Sequence, residues 1–260
     1  ARKATRYPLE LENGYILNAE SFKNVYALLE ELGHDKTKKI KGIGAESTDE
    51  ILAGAKIAKK LIESMQSNEI TISSDDLLDG YIATVVLPEI NNRPLSDMLV
   101  YSLENINAFF STPGSNNLKV YDLCINVFKQ LKVIHKLPRA YVKPLKIAGF
   151  MYDSGKRIDF FNYKKNGFDV ILNSKIKGVS QKDLLLAAFA CKYQNLDNFN
   201  LTDWVRYSNI VSEEDLDAVK KIGVLIELSS ALDASKSSAV DDLACDILGD
   251  SIIIKTIVNK

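Results

Sequence analysis

Apolar positions recur at helical spacing over most of the chain and alternate only near its two ends. Gly14-Tyr15-Ile16-Leu17 reads as a strand. Asn18 then caps a helix with Phe22, Val25, Tyr26, Leu29 and Leu32 on one face, which ends near Gly33. Ser47-Thr48-Asp49-Glu50 fits a capping box, and Ile51, Leu52, Ala55, Ala58, Ile62 and Met65 continue it as a second helix. Ile70 to Ser73 is a short strand, followed by an acidic turn and a helix from Asp75 or Asp76 to Val86. Strand and helix alternate here in an α/β pattern.

Pro88 to Pro94, PEINNRP, has the composition of a boundary. Beyond it the pattern is helical. Leu95 to Phe110 is one helix, and a longer one runs to His135 with Val120, Leu123, Cys124, Val127, Leu131 and Ile134 on a stripe. Val142 to Asp153 follows, with Pro144 in its first turn. Ser180 caps Leu184 to Tyr193, and Ser212 caps a helix reaching Ser235. Phe160, Phe161, Tyr163 and Phe168 stand at near-helical spacing and are expected in the core rather than on a stacking platform; Trp204 is expected to pack. Gly249-Asp250 between Asp242–Leu248 and Ser251–Val258 signals a two-residue hairpin. The fold class is therefore mainly α with an α/β N-terminal part. It divides into residues 1–90, 91–238 and a closing β-hairpin at 239–260. A two-stranded hairpin is marginal alone, which suggests a chain cut at both ends.

Composition narrows the chemistry. The 260 residues are 46% hydrophobic and 26% charged, enough for one large or two modest domains. A formal charge of -1 gives no whole-molecule field toward nucleic acid or membrane. No apolar run reaches the ~18 residues of a membrane span, and ARKATRYPLELENG lacks the apolar core of a signal peptide. Cys124, Cys191 and Cys245 are odd in number and widely spaced, as reduced core residues of a cytoplasmic protein would be. The two histidines, His34 and His135, each fall at a helix end, where an imidazole caps or faces water. A His-based metal site or a Ser/Cys-His nucleophile has nothing else to build on. The loop KTKKIK, Lys36 to Lys41, has no aromatic for stacking on bases. Gly42-Ile43-Gly44 lacks the rest of a phosphate loop. Charge is uneven, however. From Lys136 to Lys192, twelve Lys/Arg face four Asp, a net +8, whereas residues 1–135 carry -3 and 193–260 carry -6. The basic middle is a candidate anion-binding face, although each cation singly also fits a solvated surface.

One stretch, MYDSGKRIDFFNYKKNGFDVILNS from Met151 to Ser174, resembles the centre of an HD-type helical domain, in which His-Asp and further His hold metal ions. Taken in order, the whole chain resembles the C-terminal half of an exopolyphosphatase / guanosine pentaphosphate phosphohydrolase of the Ppx/GppA family. Asp49-Glu50-Ile51-Leu52-Ala53-Gly54 is similar to the family's Asp-Ile-Ile-x-x-Gly helix start, and Ile70 to Gly80 to its strand and Gly-Leu-Arg-Glu-Gly turn. Asn173-Ser174 with Gly178-Val179-Ser180 matches a loop, and Gly223-Val224-Leu225-Ile226 with Ala231-Leu232-Asp233 the last helix of the HD part. The resemblance implies the C-terminal portion of an actin-like (ribonuclease H-like) domain over 1–90, then an HD-like all-helical domain over 91–238.

The departures are equally specific. Leu78 and Asp79 stand where the family has Arg and Glu. The HD-type His positions fall on Asn116, Tyr152, Asn166 and Gln194, and the Asp of the last helix on Ser230, so Asp153 alone remains. One carboxylate among amides and a phenol is a poor transition-metal site, and no metal or other cofactor is expected in this chain. The family's glycine-rich phosphate loops and catalytic carboxylate would precede Ala1; magnesium is expected for the full-length parent.

The first functional expectation is thus a part of a phosphatase, without catalytic residues of its own, that binds inorganic polyphosphate or (p)ppGpp. Lys156, Arg157, Lys164, Lys165, Lys175 and Lys177 are the candidate contacts. The second is a metal-free HD-like regulatory or nucleotide-binding module, with Asn116, Tyr152, Asp153, Asn166 and Gln194 lining a polar pocket. The third is a dimerisation unit built on the helices at 95–110 and 116–135, consistent with an expected homodimer.

Overall fold

Leu184-Leu185-Leu186-Ala187-Ala188-Phe189-Ala190-Cys191 is apolar on every side, and a helix of that kind must be surrounded. It forms the centre of a helix, Gln181–Lys192, in the structure, a computed structural model that describes residues 7–37, 48–86, 96–111, 116–193 and 201–258. The chain divides into two units, Ala1–Asp79 and Gly80–Lys260.

The first unit contains β1 (Ile16–Asn18), α1 (Ala19–Thr37), α2 (Thr48–Met65) and β2 (Glu69–Thr71). β1 and β2 pair antiparallel, with Leu17 opposite Ile70. As expected, Asn18 caps α1: its Oδ1 accepts the Ser21 N–H at 2.6 Å. α1 bends at Gly33, whose φ of +62° suits glycine. α1 packs along α2, burying Tyr26, Leu29 and Ile62. The stripe read on α2 is only partly used, since Met65 stays exposed. The proposed cap at Ser47 lies outside the described residues.

Helix α3 (Leu77–Val86) crosses the division between the units. Its start is fixed by Asp76 and Asp79, each accepting the other's backbone N–H at 2.9 and 3.2 Å.

The second unit is helical: α4 (Ser96–Phe110), α5 (Asn117–Gln130), α6 (Lys132–His135), α7 (Val142–Phe150), α8 (Tyr163–Asn173), α9 (Gln181–Lys192), α10 (Leu201–Val205) and α11 (Glu213–Leu232). It closes on the hairpin of β3 (Val240–Leu248) and β4 (Ser251–Val258). α7, α8 and α11 surround α9, and α5 packs on α7, α11 and β3. The helices meet at small residues. A Cβ on Gly149 of α7 would lie 2.9 Å from the Cys124 Sγ of α5, and one on Gly167 of α8 would lie 2.9 Å from the Cys191 Sγ of α9. The hairpin turn is as expected, with Gly249 at φ +57°. Leu243 is buried at the contact of β3 with α5.

Several boundaries differ from the sequence reading; α11, for one, stops at Leu232 rather than Ser235. The long helix toward His135 breaks at Leu131, and the short α6 ends on Lys136 at φ +55° before Leu137-Pro138. His135 does not face water: it is buried, stacked on Phe128, with Nδ1 accepting the Leu137 N–H and Nε2 donating to the Phe128 carbonyl. α7 stops at Phe150, three residues before Asp153, because Ser154–Arg157 tightens into a 3-10 turn. Among the described residues, no helix is long and apolar enough to cross a membrane.

Asp215 ties the start of α11 to two other elements. It accepts the Ser212 N–H and hydroxyl at 2.8 Å each, the Tyr141 hydroxyl at 2.7 Å, and the Lys182 ammonium at 2.8 Å. Burial pushes its carboxyl up, but these donors outweigh it and hold it below the usual range. The stabilisation is therefore present above the unfolded carboxylate's pKa of about 4 and is lost as pH falls through the lower folded value. Asp215→Asn should cost about 1–2 kcal/mol at neutral pH, read from urea unfolding. It should also flatten the loss of stability below about pH 4; an unchanged acid profile would show that Asp215 contributes nothing to it.

Candidate functional site

Asp153 stands where α7 ends and is completely buried. Its neighbours come from distant parts of the second unit. Asn117, the first residue of α5, donates its side-chain amide to Asp153 Oδ1 at 2.9 Å and to the Phe150 carbonyl at 2.8 Å, and reaches Asn107 Oδ1 of α4 at 3.1 Å. Asn116 caps α5, its Oδ1 accepting the Lys119 N–H at 3.4 Å, while its amide meets the Ser238 hydroxyl. Asp233, buried at the end of α11, accepts the Ser238 N–H at 3.0 Å. This N–H belongs to a turn in which Lys236 and Ser238 both take positive φ.

This centre has more acceptors than donors. Asp153 Oδ2, Asp233 Oδ2 and Asn117 Oδ1 are buried without a hydrogen-bond donor. The nearest cation is Lys156, whose ammonium lies 3.9 Å from Asp153 Oδ2, between the rings of Tyr152 at 5.6 Å and Tyr163 at 4.8 Å. Burial lowers the Lys156 pKa, with Lys236 and Lys164 adding to the effect and Asp153 opposing it. Burial raises the Tyr152 phenol, and Asp153 and Asp233 raise it further by charge. Tyr163 is pushed up to about 12 by burial first. Both phenols hold their protons at neutral pH.

Two carboxylates, amides and an internal ammonium do not fit a firmly held transition metal, which wants several imidazole or anionic ligands. Among the described residues, no group of three or more His, Cys, Asp or Glu could hold one. Neither buried cysteine of this unit is a reactive nucleophile. Cys124 and Cys191 are buried and pushed up to about 12 by burial, which keeps their thiols protonated and inert.

Of the residues named for a polar pocket, Asn116, Tyr152 and Asp153 are brought together by the fold. Asn166 is on α8 and offers its backbone N–H to the Asn162 carbonyl, and Gln194 lies outside the described residues. Ser230, matched to the last-helix Asp, donates its hydroxyl to the Glu227 carbonyl; Asp233, three residues later, supplies the carboxylate. Asn117 and Asp233 were not read from the sequence. The one available signal was an Asp at a helix C-terminus, where the backbone dipole disfavours a negative charge.

The six candidate cations do not form one patch. α8 has eleven residues and rises about 16 Å. It separates Lys156, Arg157, Lys164 and Lys165 at its start from Lys175 and Lys177 beyond its end. Lys156 is turned inward, and Lys164 pairs with Glu227 at 3.2 Å. Arg157, Lys165 and Lys175 are exposed. The loop holding Lys175 and Lys177 is fastened to α4 by Ser102, which donates to the Lys175 carbonyl and accepts the Lys177 N–H. Of the aromatics expected in the core, Phe168 is buried, but Phe160 and Phe161 project into solvent. α8 begins only at Tyr163, so helical spacing does not apply to residues 160 and 161. The chain matches no known family model and no curated protein sequence.

Proposed function

We propose that this chain is the C-terminal portion of a Ppx/GppA-type phosphatase that removes terminal phosphate from inorganic polyphosphate or pppGpp. Residues 1–90 are then the end of its second actin-like domain and 91–238 its HD-like domain, in a cytoplasmic homodimer. The chain's share of the work is to bind the polyanion and help form the dimer. Hydrolysis, with its magnesium, belongs to phosphate loops that these residues do not supply. The observation that carries the reading is the net +8 between Lys136 and Lys192, with Arg157, Lys165 and Lys175 left exposed there. A long anion can span separated cations, gaining affinity through counterion release. A nucleotide pocket at Asp153 is the weaker reading, because Asp153, Asn117 and Asp233 are buried and Asp153 already accepts the Asn117 amide.

Calorimetric titration with inorganic polyphosphate and magnesium, at low and at moderate salt, tests the proposal. Binding should weaken steeply with salt, and the triple variant Arg157→Ala, Lys165→Ala, Lys175→Ala should flatten that dependence by about three charges. Absence of binding at low salt would remove the polyanion role.

A further inference from the structure

We infer that the part of the second unit formed by α4, the α7–α8 connection and α8 is a self-association surface whose partner is a second copy of this chain. The connection carries an aromatic tip: Phe161 is 90% exposed and Phe160 66%, their rings edge to face at 5.8 Å. The tip is held in place. Asp159 accepts the Phe161 N–H at 3.0 Å on one oxygen and the Asn162 amide at 2.6 Å on the other. Beside it lies a groove of about 510 Å³ between α4 and α8, lined by Ile106, Phe110 and Val170. Phe109 and Ile158, 78% and 60% exposed, also line it. A contiguous apolar patch with a fixed aromatic projection marks a contact surface rather than ordinary surface scatter.

The identity of the partner follows from the patch containing both halves of a contact. A two-fold interface uses the same surface on both copies, and a projecting group beside a receiving groove makes such a surface self-complementary. The tip and the groove form such a pair. The charges agree with it. Arg157 adjoins the tip and Asp169 lines the groove; both are exposed, and neither is in an ion pair among the described residues. A two-fold that seats Phe161 of each copy in the groove of the other brings each Arg157 toward the other copy's Asp169. An anionic lipid surface is the worse match, because Asp159 and Asp169 stand within the patch.

This inference rests on the reading above only for the expectation of a dimer, and it moves the contact from whole helices to one defined patch. Sedimentation velocity over a concentration series tests it independently of polyphosphate binding. The wild-type chain should form a dimer. Phe161→Glu, at an exposed position that folding does not use, should weaken it by about 100-fold, since each dimer loses two anchors. Arg157→Asp and Asp169→Arg should each weaken it by roughly tenfold, and the double variant should recover most of the loss. Circular dichroism checks that each variant is folded. A wild-type chain that stays monomeric at all concentrations, a dimer indifferent to Phe161→Glu, or a double variant no better than its parents would overturn the inference. So would a monomer that floats with anionic phosphatidylserine vesicles, which would make lipid the occupant.

Discussion

Gly155→Ala should all but prevent the second unit from folding, with a loss of at least about 4 kcal/mol in urea unfolding. Gly155 lies in the 3-10 turn where the chain leaves α7 and passes against the first turns of α8. A Cβ there would fall 1.9 Å from the Tyr163 carbonyl oxygen and 2.5 Å from the Gly167 nitrogen. Both obstacles are backbone, so no rotamer change relieves the clash; α8 itself would have to move off α9. Two comparisons separate this from a general dislike of alanine. Gly149→Ala meets a side chain, Cys124 Sγ at 2.9 Å, and should cost about 1–3 kcal/mol, partly recovered by Cys124→Ala. Gly54→Ala, in α2 with nothing within 4 Å of the new methyl, should stabilise by about 0.5–1 kcal/mol. If Gly155→Ala were as mild as Gly149→Ala, the close crossing of backbones would be wrong.

The second large effect is expected at Asn117. Its amide is the hydrogen-bond donor to Asp153 Oδ1, while Oδ2 already has no donor. Asn117→Ala therefore leaves a fully buried carboxylate with only the 3.9 Å ammonium of Lys156 for company. Taking the hydrogen-bond donor away from a buried carboxylate costs about 3 kcal/mol. Asp153→Asn removes the charge and keeps the shape, and should cost less than Asn117→Ala. In the Asn117→Ala background, Asp153→Asn should restore stability, the opposite sign from two independent losses. Chemical unfolding of the four proteins decides it. Simple additivity would mean that the two side chains do not act together.

Local signals in the sequence located most of the helices, because capping and periodicity are local. Ser180 and Ser212 cap α9 and α11 where expected, and Gly249-Asp250 makes the hairpin turn. The failures also have physical causes. The helix breaks at Leu131, and His135 is buried in a stack on Phe128, neither of which the apolar pattern marked. Phe160 and Phe161 have the right spacing for a helix that starts three residues too late to include both. At the candidate site, Asp153 was legible from its chain neighbours, whereas Asn117 and Asp233 join it only through tertiary contact. Charge counting found the basic segment but could not tell Lys156, drawn inward, from Arg157, its exposed neighbour.

The position of α9 bears on how the chain is made. Its buried faces are covered by α7 and α8, which precede it, and by α11, which follows about twenty residues later. α5 likewise waits for α11, about eighty residues downstream, to cover its side. During synthesis, the earlier helices therefore emerge with unsatisfied apolar faces and cannot settle stepwise. Closure of the second unit is a late event that α11 completes, and until then the nascent chain depends on whatever shields those faces in the cell.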